Sequence, residues 1–459
     1  MSMRSLALLA ALLLAAPLAK AQEHVAHGRF ADVELYRPAG ETKSFVLFLS
    51  GDGGWNRGVD GMARALVGEG ALVAGVDVPR FLASFAGDST SCVNPDGDLE
   101  NLSHYLQGYA QLPTYFEPLL VGYSSGATLA YAMLAQAPSG TFGGALSLGF
   151  CPDLELEARP CQGAGLRYQT RAPHKGIDLA ASSTLGGPWW ALHGEQDAVC
   201  DIAAAREFAA AAPQATFVNL PNVGHGYSVQ RNWLPQLLDT FRAAVAKMPS
   251  ALAHPSLPDL PLVEVPAAVS GGLFAVLVSG DGGWAGLDKD VALGLAARGI
   301  PVVGVDSLRY FWKARTPDGF AADLDRLLRF YAQHWDKRRA LLIGYSQGAD
   351  VLPFALNRLS PEASALVERS VLLAPAEMAA FEFHLTSWIG GNSGDLPVKP
   401  EIERLDLGRV ACIYGQEEGD ESPCATLAAG ARVTVLPGGH HFNGAYTELV
   451  RQITAGLTW

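Results

Sequence analysis

The sequence predicts an α/β chain built twice, as two tandem domains that each carry a mostly parallel sheet flanked by helices. Three observations support this. Short apolar runs alternate with amphipathic segments along the whole chain, the pattern of parallel strands buried on both faces by helices. A serine framed by glycines occurs twice, as Gly122-Tyr123-Ser124-Ser125-Gly126 and Gly344-Tyr345-Ser346-Gln347-Gly348, the G-x-S-x-G elbow of α/β-hydrolases. The surroundings of those serines also repeat: LSGDGGW from Leu49 to Trp55 returns as VSGDGGW from Val278 to Trp284, and Asp52 to Asp281 is the same offset as Asp77 to Asp306. The offset then shrinks through Ser124 and Ser346 to His225 and His440, as it does when a duplicated domain loses short loop segments. The expectation is therefore two tandem α/β-hydrolase domains.

Along the chain, residues 1–21 read as a signal peptide. Arg4 precedes an apolar run from Leu6 to Ala16, and Ala19-Lys20-Ala21 supplies a small-x-small cleavage site before Gln22. The run is too short to span a bilayer, and no cysteine before Cys92 offers a thiol for lipid attachment. Export to the periplasm is expected. An oxidising compartment makes the six cysteines candidates for disulfides. In the first half Cys92, Cys151, Cys161 and Cys200 admit three pairings; joining Cys151 to Cys161 closes the shortest loop and leaves Cys92 with Cys200. Cys412 and Cys424 enclose a short segment and would pin it, free buried thiols being the alternative.

Residues 22–247 form the expected N-terminal domain, with strands at Phe45–Leu49, Ala71–Val76, Leu119–Val121, Ala145–Leu148 and Trp189–Leu192. Residues 248–266 are rich in proline with little periodicity and read as an extended linker. Residues 267–459 repeat the strands as Phe274–Val278, Pro301–Val305, Ala340–Ile343, Ser370–Leu373 and Val410–Ile413. With 49% hydrophobic and 17% charged residues in 459, two complete cores fit. The formal net charge of −13 argues against a nucleic-acid partner and against tight adsorption on anionic lipid, though not against a lipid substrate met briefly at a membrane surface.

Acyl transfer by serine needs a base, an acid that orients the base, and donors aimed at the developing oxyanion. In the second half Ser346 follows an apolar strand and precedes a helix, and its flanking glycines suit a tight turn. Asp420 is the expected acid, with Glu417 and Glu418 as competitors, and His440 is the expected base, with His441 as its competitor. The backbone N–H groups of Gln347 and Asp281 are the expected oxyanion donors. The first half holds Ser124, Asp197 and His225 in the same order, a formally complete second triad. Arg309, Lys313 and Arg315 lie among Tyr310, Phe311 and Trp312 and either hold a phosphate near the elbow or form a solvated structural patch. The segment Ala379 to Ile389 reads either as a cap over an acyl group or as ordinary packing. No cofactor or metal is expected, because the cysteines and histidines lack ligand spacing.

The pairing of GYSQGADVLPF (344–354) with SGDGGW, RYFWKARTP (309–317) and LPGGHHF (436–442) resembles the bacterial virulence protein family VirJ. The two-domain form with a signal peptide resembles its longer member, AcvB. The resemblance implies a periplasmic α/β-hydrolase that removes the amino acid from aminoacyl-phosphatidylglycerol, lysyl or alanyl, with Ser346 attacking the carbonyl, His440 shuttling the proton and Asp420 orienting His440. It equally leaves open a non-catalytic adaptor to periplasmic partners of a secretion system. A general carboxylesterase or thioesterase is the third expectation.

Overall fold

Both faces of every central strand are apolar, and the structure shows why: alternate side chains of one strand enter two separate cores. In Ser44–Leu49, Phe45, Leu47 and Leu49 pack into one layer while Val46 and Phe48 pack into the layer on the other side of the sheet. In Leu273–Val278, Phe274, Val276 and Val278 face one core while Leu273, Ala275 and Leu277 face the other. A sheet covered on both faces leaves its functional groups to the loops at the strand ends. The structure, a computed structural model, describes residues 23–87, 92–171, 176–248, 257, 259–268, 271–284, 286–383 and 394–459. The expected signal peptide, residues 1–21, lies outside them, as does residue 384 onward of the segment expected to be a cap.

The first sheet has eight strands in the order Glu23–His27, Phe30–Tyr36, Ala71–Val76, Ser44–Leu49, Leu119–Tyr123, Gly144–Leu148, Trp189–Gly194, Ala215–Leu220. The first two run antiparallel along one edge, and the rest are parallel. The second sheet has seven strands, ordered Leu262–Val265, Val302–Val305, Leu273–Val278, Arg339–Tyr345, Val367–Leu373, Val410–Gly415, Arg432–Leu436. Only Leu262–Val265 is antiparallel. Both sheets have the α/β-hydrolase fold. Each apolar run expected to be a strand is one.

One boundary is corrected. The expected linker 248–266 ends in a strand, Leu262–Val265, that pairs with Val302–Val305. Leu262 is buried and Glu264 is exposed, with Pro261 and Pro266 on either side, the pattern of an edge strand whose neighbours cannot extend the ladder. The halves also touch. Arg309 Nη2 donates to Glu117 Oε1 at 3.1 Å, Trp312 Nε1 donates to the Leu112 carbonyl at 2.7 Å, and the Trp312 ring stands 5.5 Å from that of Tyr115.

Candidate active site

Ser346 stands between the strand Arg339–Tyr345 and the helix Gln347–Leu356, at φ 51° and ψ −122°; Ser124 takes the same place after Leu119–Tyr123, at φ 56° and ψ −125°. Positive φ is strained for a residue with a side chain, and it lifts the hydroxyl clear of the sheet. The flanking glycines are required by contact. A Cβ on Gly344 would collide with the Gly348 backbone, and one on Gly348 would collide with the Val278 carbonyl.

In the second half His440 Nε2 lies 2.9 Å from Ser346 Oγ, and His440 Nδ1 lies 2.8 Å from Glu418 Oε1. Glu418 Oε2 accepts the Gly415 N–H at 2.7 Å, so both carboxylate oxygens are held. The acid beside His440 is thus Glu418. The expectation of Asp420 is corrected: Gly419, at φ 53°, turns the chain after Glu418, and Asp420 is exposed. Glu417 is also exposed. His441 points instead to Tyr345, whose hydroxyl is 2.8 Å from its Nδ1; burial first, then neighbouring His440, holds its pKa below the usual imidazole value.

In the first half Ser124 Oγ is 2.9 Å from His225 Nε2, and His225 Nδ1 is 2.8 Å from Asp197 Oδ2. Asp197 Oδ1 accepts the N–H groups of Val199 and Cys200, both at 2.9 Å. Burial alone would raise the Asp197 pKa, but those N–H groups and His225 outweigh it and hold the carboxyl below its ordinary value. Asp197, His225 and Cys200 crowd together closely enough to resemble metal ligands. The Cys200 sulfur, however, is bonded to Cys151.

The disulfides choose among the three pairings that the sequence leaves open in the first half. Cys92 pairs with Cys161 and Cys151 with Cys200, rather than Cys151 with Cys161. Cys161 N donates to the Val93 carbonyl at 2.8 Å, which brings two sequence-distant cysteines together. Cys412 pairs with Cys424 as expected.

The glycine-rich turn lies against the serine: a Cβ on Gly280 would meet Ser346 Cβ at 3.4 Å. The Gln347 N–H is at the first position of its helix, where no intrahelical acceptor exists. The Asp281 carboxyl is pushed up by burial, and His440 and the N–H groups of Asp281 and Gly282 act against that. A cavity of about 520 Å³ opens here, lined by Ser346, His440, Asp281 and, from the first half, Glu100.

Arg309, Lys313 and Arg315 do not line this cavity, which corrects the expectation that they hold a phosphate beside the serine. Arg309 is buried between Glu117 and Asp306, the guanidinium of Arg315 lies 4.5 Å over the Tyr310 ring, and Lys313 is exposed. Glu100 gave no signal in the sequence, since a lone acid on an amphipathic helix reads as a solvated position.

No curated protein matches. The α/β serine hydrolase XC6422 from Xanthomonas campestris, described as lacking a lid, is 18% identical with a TM-score of 0.34, covering 51% of this chain and 98% of its own. Thermogutta terrifontis esterase 2 is 18% identical with a TM-score of 0.36, covering 50% of this chain and 97% of its own. The family model described as "Bacterial virulence protein (VirJ)" matches residues 43–141 and 272–458, more than half of the chain. This chain belongs to the VirJ family of bacterial virulence proteins.

Proposed function

We propose that this protein is a periplasmic serine hydrolase that cleaves the aminoacyl ester of aminoacyl-phosphatidylglycerol, using Ser346 as nucleophile, His440 as base and Glu418 as the orienting acid. The observation that carries the reading is the unbroken relay from Ser346 Oγ through His440 to Glu418 at the wall of a cavity. Ser346 Oγ attacks the aminoacyl carbonyl while its proton passes to His440 Nε2. The Gln347 N–H, with the Asp281 N–H of the adjoining turn, receives the oxyanion. The ester C–O bond then breaks, and His440 returns the proton to the departing glycerol oxygen. Water, deprotonated by His440, attacks the acyl-serine and releases the amino acid. The lipid part of the reading comes from the family resemblance. The periplasm is supported by three disulfides, which an oxidising compartment maintains.

The complete hydrogen-bonded set Ser124–His225–Asp197 favours a second reading, in which the first half also hydrolyses an ester. The deciding experiment is amino acid release from vesicles containing lysyl- or alanyl-phosphatidylglycerol, by the mature protein and its Ser346→Ala and Ser124→Ala variants. Release abolished by Ser346→Ala and kept by Ser124→Ala is expected. Folded wild-type protein that releases nothing from either lipid would overturn the substrate. Failure of a fluorophosphonate to label either serine would overturn serine catalysis altogether and leave the adaptor role.

A further inference from the structure

The cavity beside Ser346 has walls from both halves. The helix Pro95–Tyr109 of the first half carries Asp96, Glu100 and His104 four residues apart, and so on one face. That face meets the second half, with the His104 ring 6.0 Å from the Phe383 ring. Glu100 thereby enters the lining of the cavity that holds Ser346, His440 and Asp281. It keeps part of its surface open to the cavity, while the walls deprive it of bulk water.

Among the described residues, the charged groups that act on Glu100 are acids, Asp96 and Asp281. Burial first, then those two carboxyls, push its pKa up to about 8. An acid without a cationic partner in such a place is costly. A glutamine or leucine would serve packing better, so the group is explained by a ligand that completes it. A metal ion is the poorer candidate. Among the described residues these carboxyls do not converge on a common point as ligands would, and the only such grouping lies elsewhere, at Asp197. An ammonium suits carboxyls brought to one cavity by different elements, because its three donors point in different directions.

We propose that Glu100, with Asp281 in the same cavity lining, forms an ammonium pocket that the first half lends to the second half's active site, and that it selects esters whose acyl group carries a protonated amine. Glu100 is in this sense a specificity-determining residue, contributed across the interface. The proposal rests on the aminoacyl-ester reading above and adds to it where the amine sits and which half holds it.

The test compares two phosphatidylglycerol esters of matched shape, alanyl and isobutyryl, in vesicles of identical composition, using the full mature protein. The wild type is expected to prefer the alanyl ester. Glu100→Gln should lower the alanyl-to-isobutyryl ratio of kcat/KM by about 10- to 100-fold, chiefly through KM, as expected for loss of a hydrogen bond to a charged group. Asp281→Asn, which keeps the backbone N–H, should move the ratio the same way. Fluorophosphonate labelling of Ser346 in a Ser124→Ala background reports that the variants remain folded. If Glu100→Gln leaves the ratio unchanged, or slows both esters equally, the pocket is overturned while aminoacyl hydrolysis stands. If the wild type hydrolyses both esters without preference, the aminoacyl reading itself fails and the pocket falls with it.

Discussion

At the scale of single residues, the identity of the acid is the sharpest finding. Glu418 follows Gly415 by three positions, as Asp197 follows Gly194, and both carboxylates reach a histidine at 2.8 Å. The repeat therefore contained the answer. The register of the duplication, third position after the glycine in both halves, decides between Asp420 and its competitors where backbone geometry is shared. Glu418→Gln should lower kcat/KM on a soluble ester on the order of 10³- to 10⁴-fold, while Asp420→Asn should leave it at the wild-type value; equal losses would return Asp420 to the site. Glu100 makes a separate prediction through linkage. Its folded pKa, about 8, lies above its ordinary value of 4.5. The folded state then binds more protons between those values, and the group lowers stability as pH rises through that window. Glu100→Gln should accordingly raise Tm relative to wild type above pH 8 and change it little near pH 4.5, measured by calorimetry. A shift of equal size at both values would mean that the carboxyl is not buried in the folded protein.

At the scale of elements, the central strands were legible because burial on both faces leaves an unbroken apolar run. The edge strands were not. Arg432–Leu436 alternates in exposure and carries Thr434, Ala215–Leu220 leaves Thr216 and Asn219 exposed among its apolar residues, and Leu262–Val265 is embedded in a proline-rich stretch. Such strands are defined by the neighbour they pair with, which a single chain segment does not record. The disulfide Cys412–Cys424 joins the last buried strand before the acid to the turn Pro423–Thr426 after it, with Glu418 in the enclosed loop. Replacing both cysteines by alanine should cost about 2–4 kcal/mol of stability. It should also slow fluorophosphonate labelling of Ser346 without slowing that of Ser124. Denaturant unfolding and labelling rates together check this, and an unchanged Ser346 rate would make the bridge purely structural.

At the scale of the whole molecule, the duplication was readable but the contact between the copies was not. Arg309 and Trp312 read as a cationic, aromatic patch; in the structure they are where the halves join, the guanidinium on Glu117 and the indole N–H on the Leu112 carbonyl. Nothing in a residue's periodicity tells a surface that meets water from one that meets a neighbouring domain. Burial keeps the Glu117 pKa raised even though Arg309 pulls it down, so this pair does more to set register between the halves than to stabilise them. Removing one partner is a different matter. Arg309→Ala takes from the part-buried Glu117 the stronger of the two cations that offset its burial, leaving Lys289, which should cost about 1–3 kcal/mol and separate the calorimetric transitions of the two halves; a single unshifted transition would show that the interface does not depend on the pair. Both triads, finally, keep their acid beside a disulfide: Cys200 is three residues after Asp197, and Cys412 opens onto the loop of Glu418. A newly made chain with its thiols still reduced has neither loop fastened. The slower Ser346 labelling expected when Cys412 and Cys424 are removed is therefore also what a freshly made chain should show until its cysteines have closed.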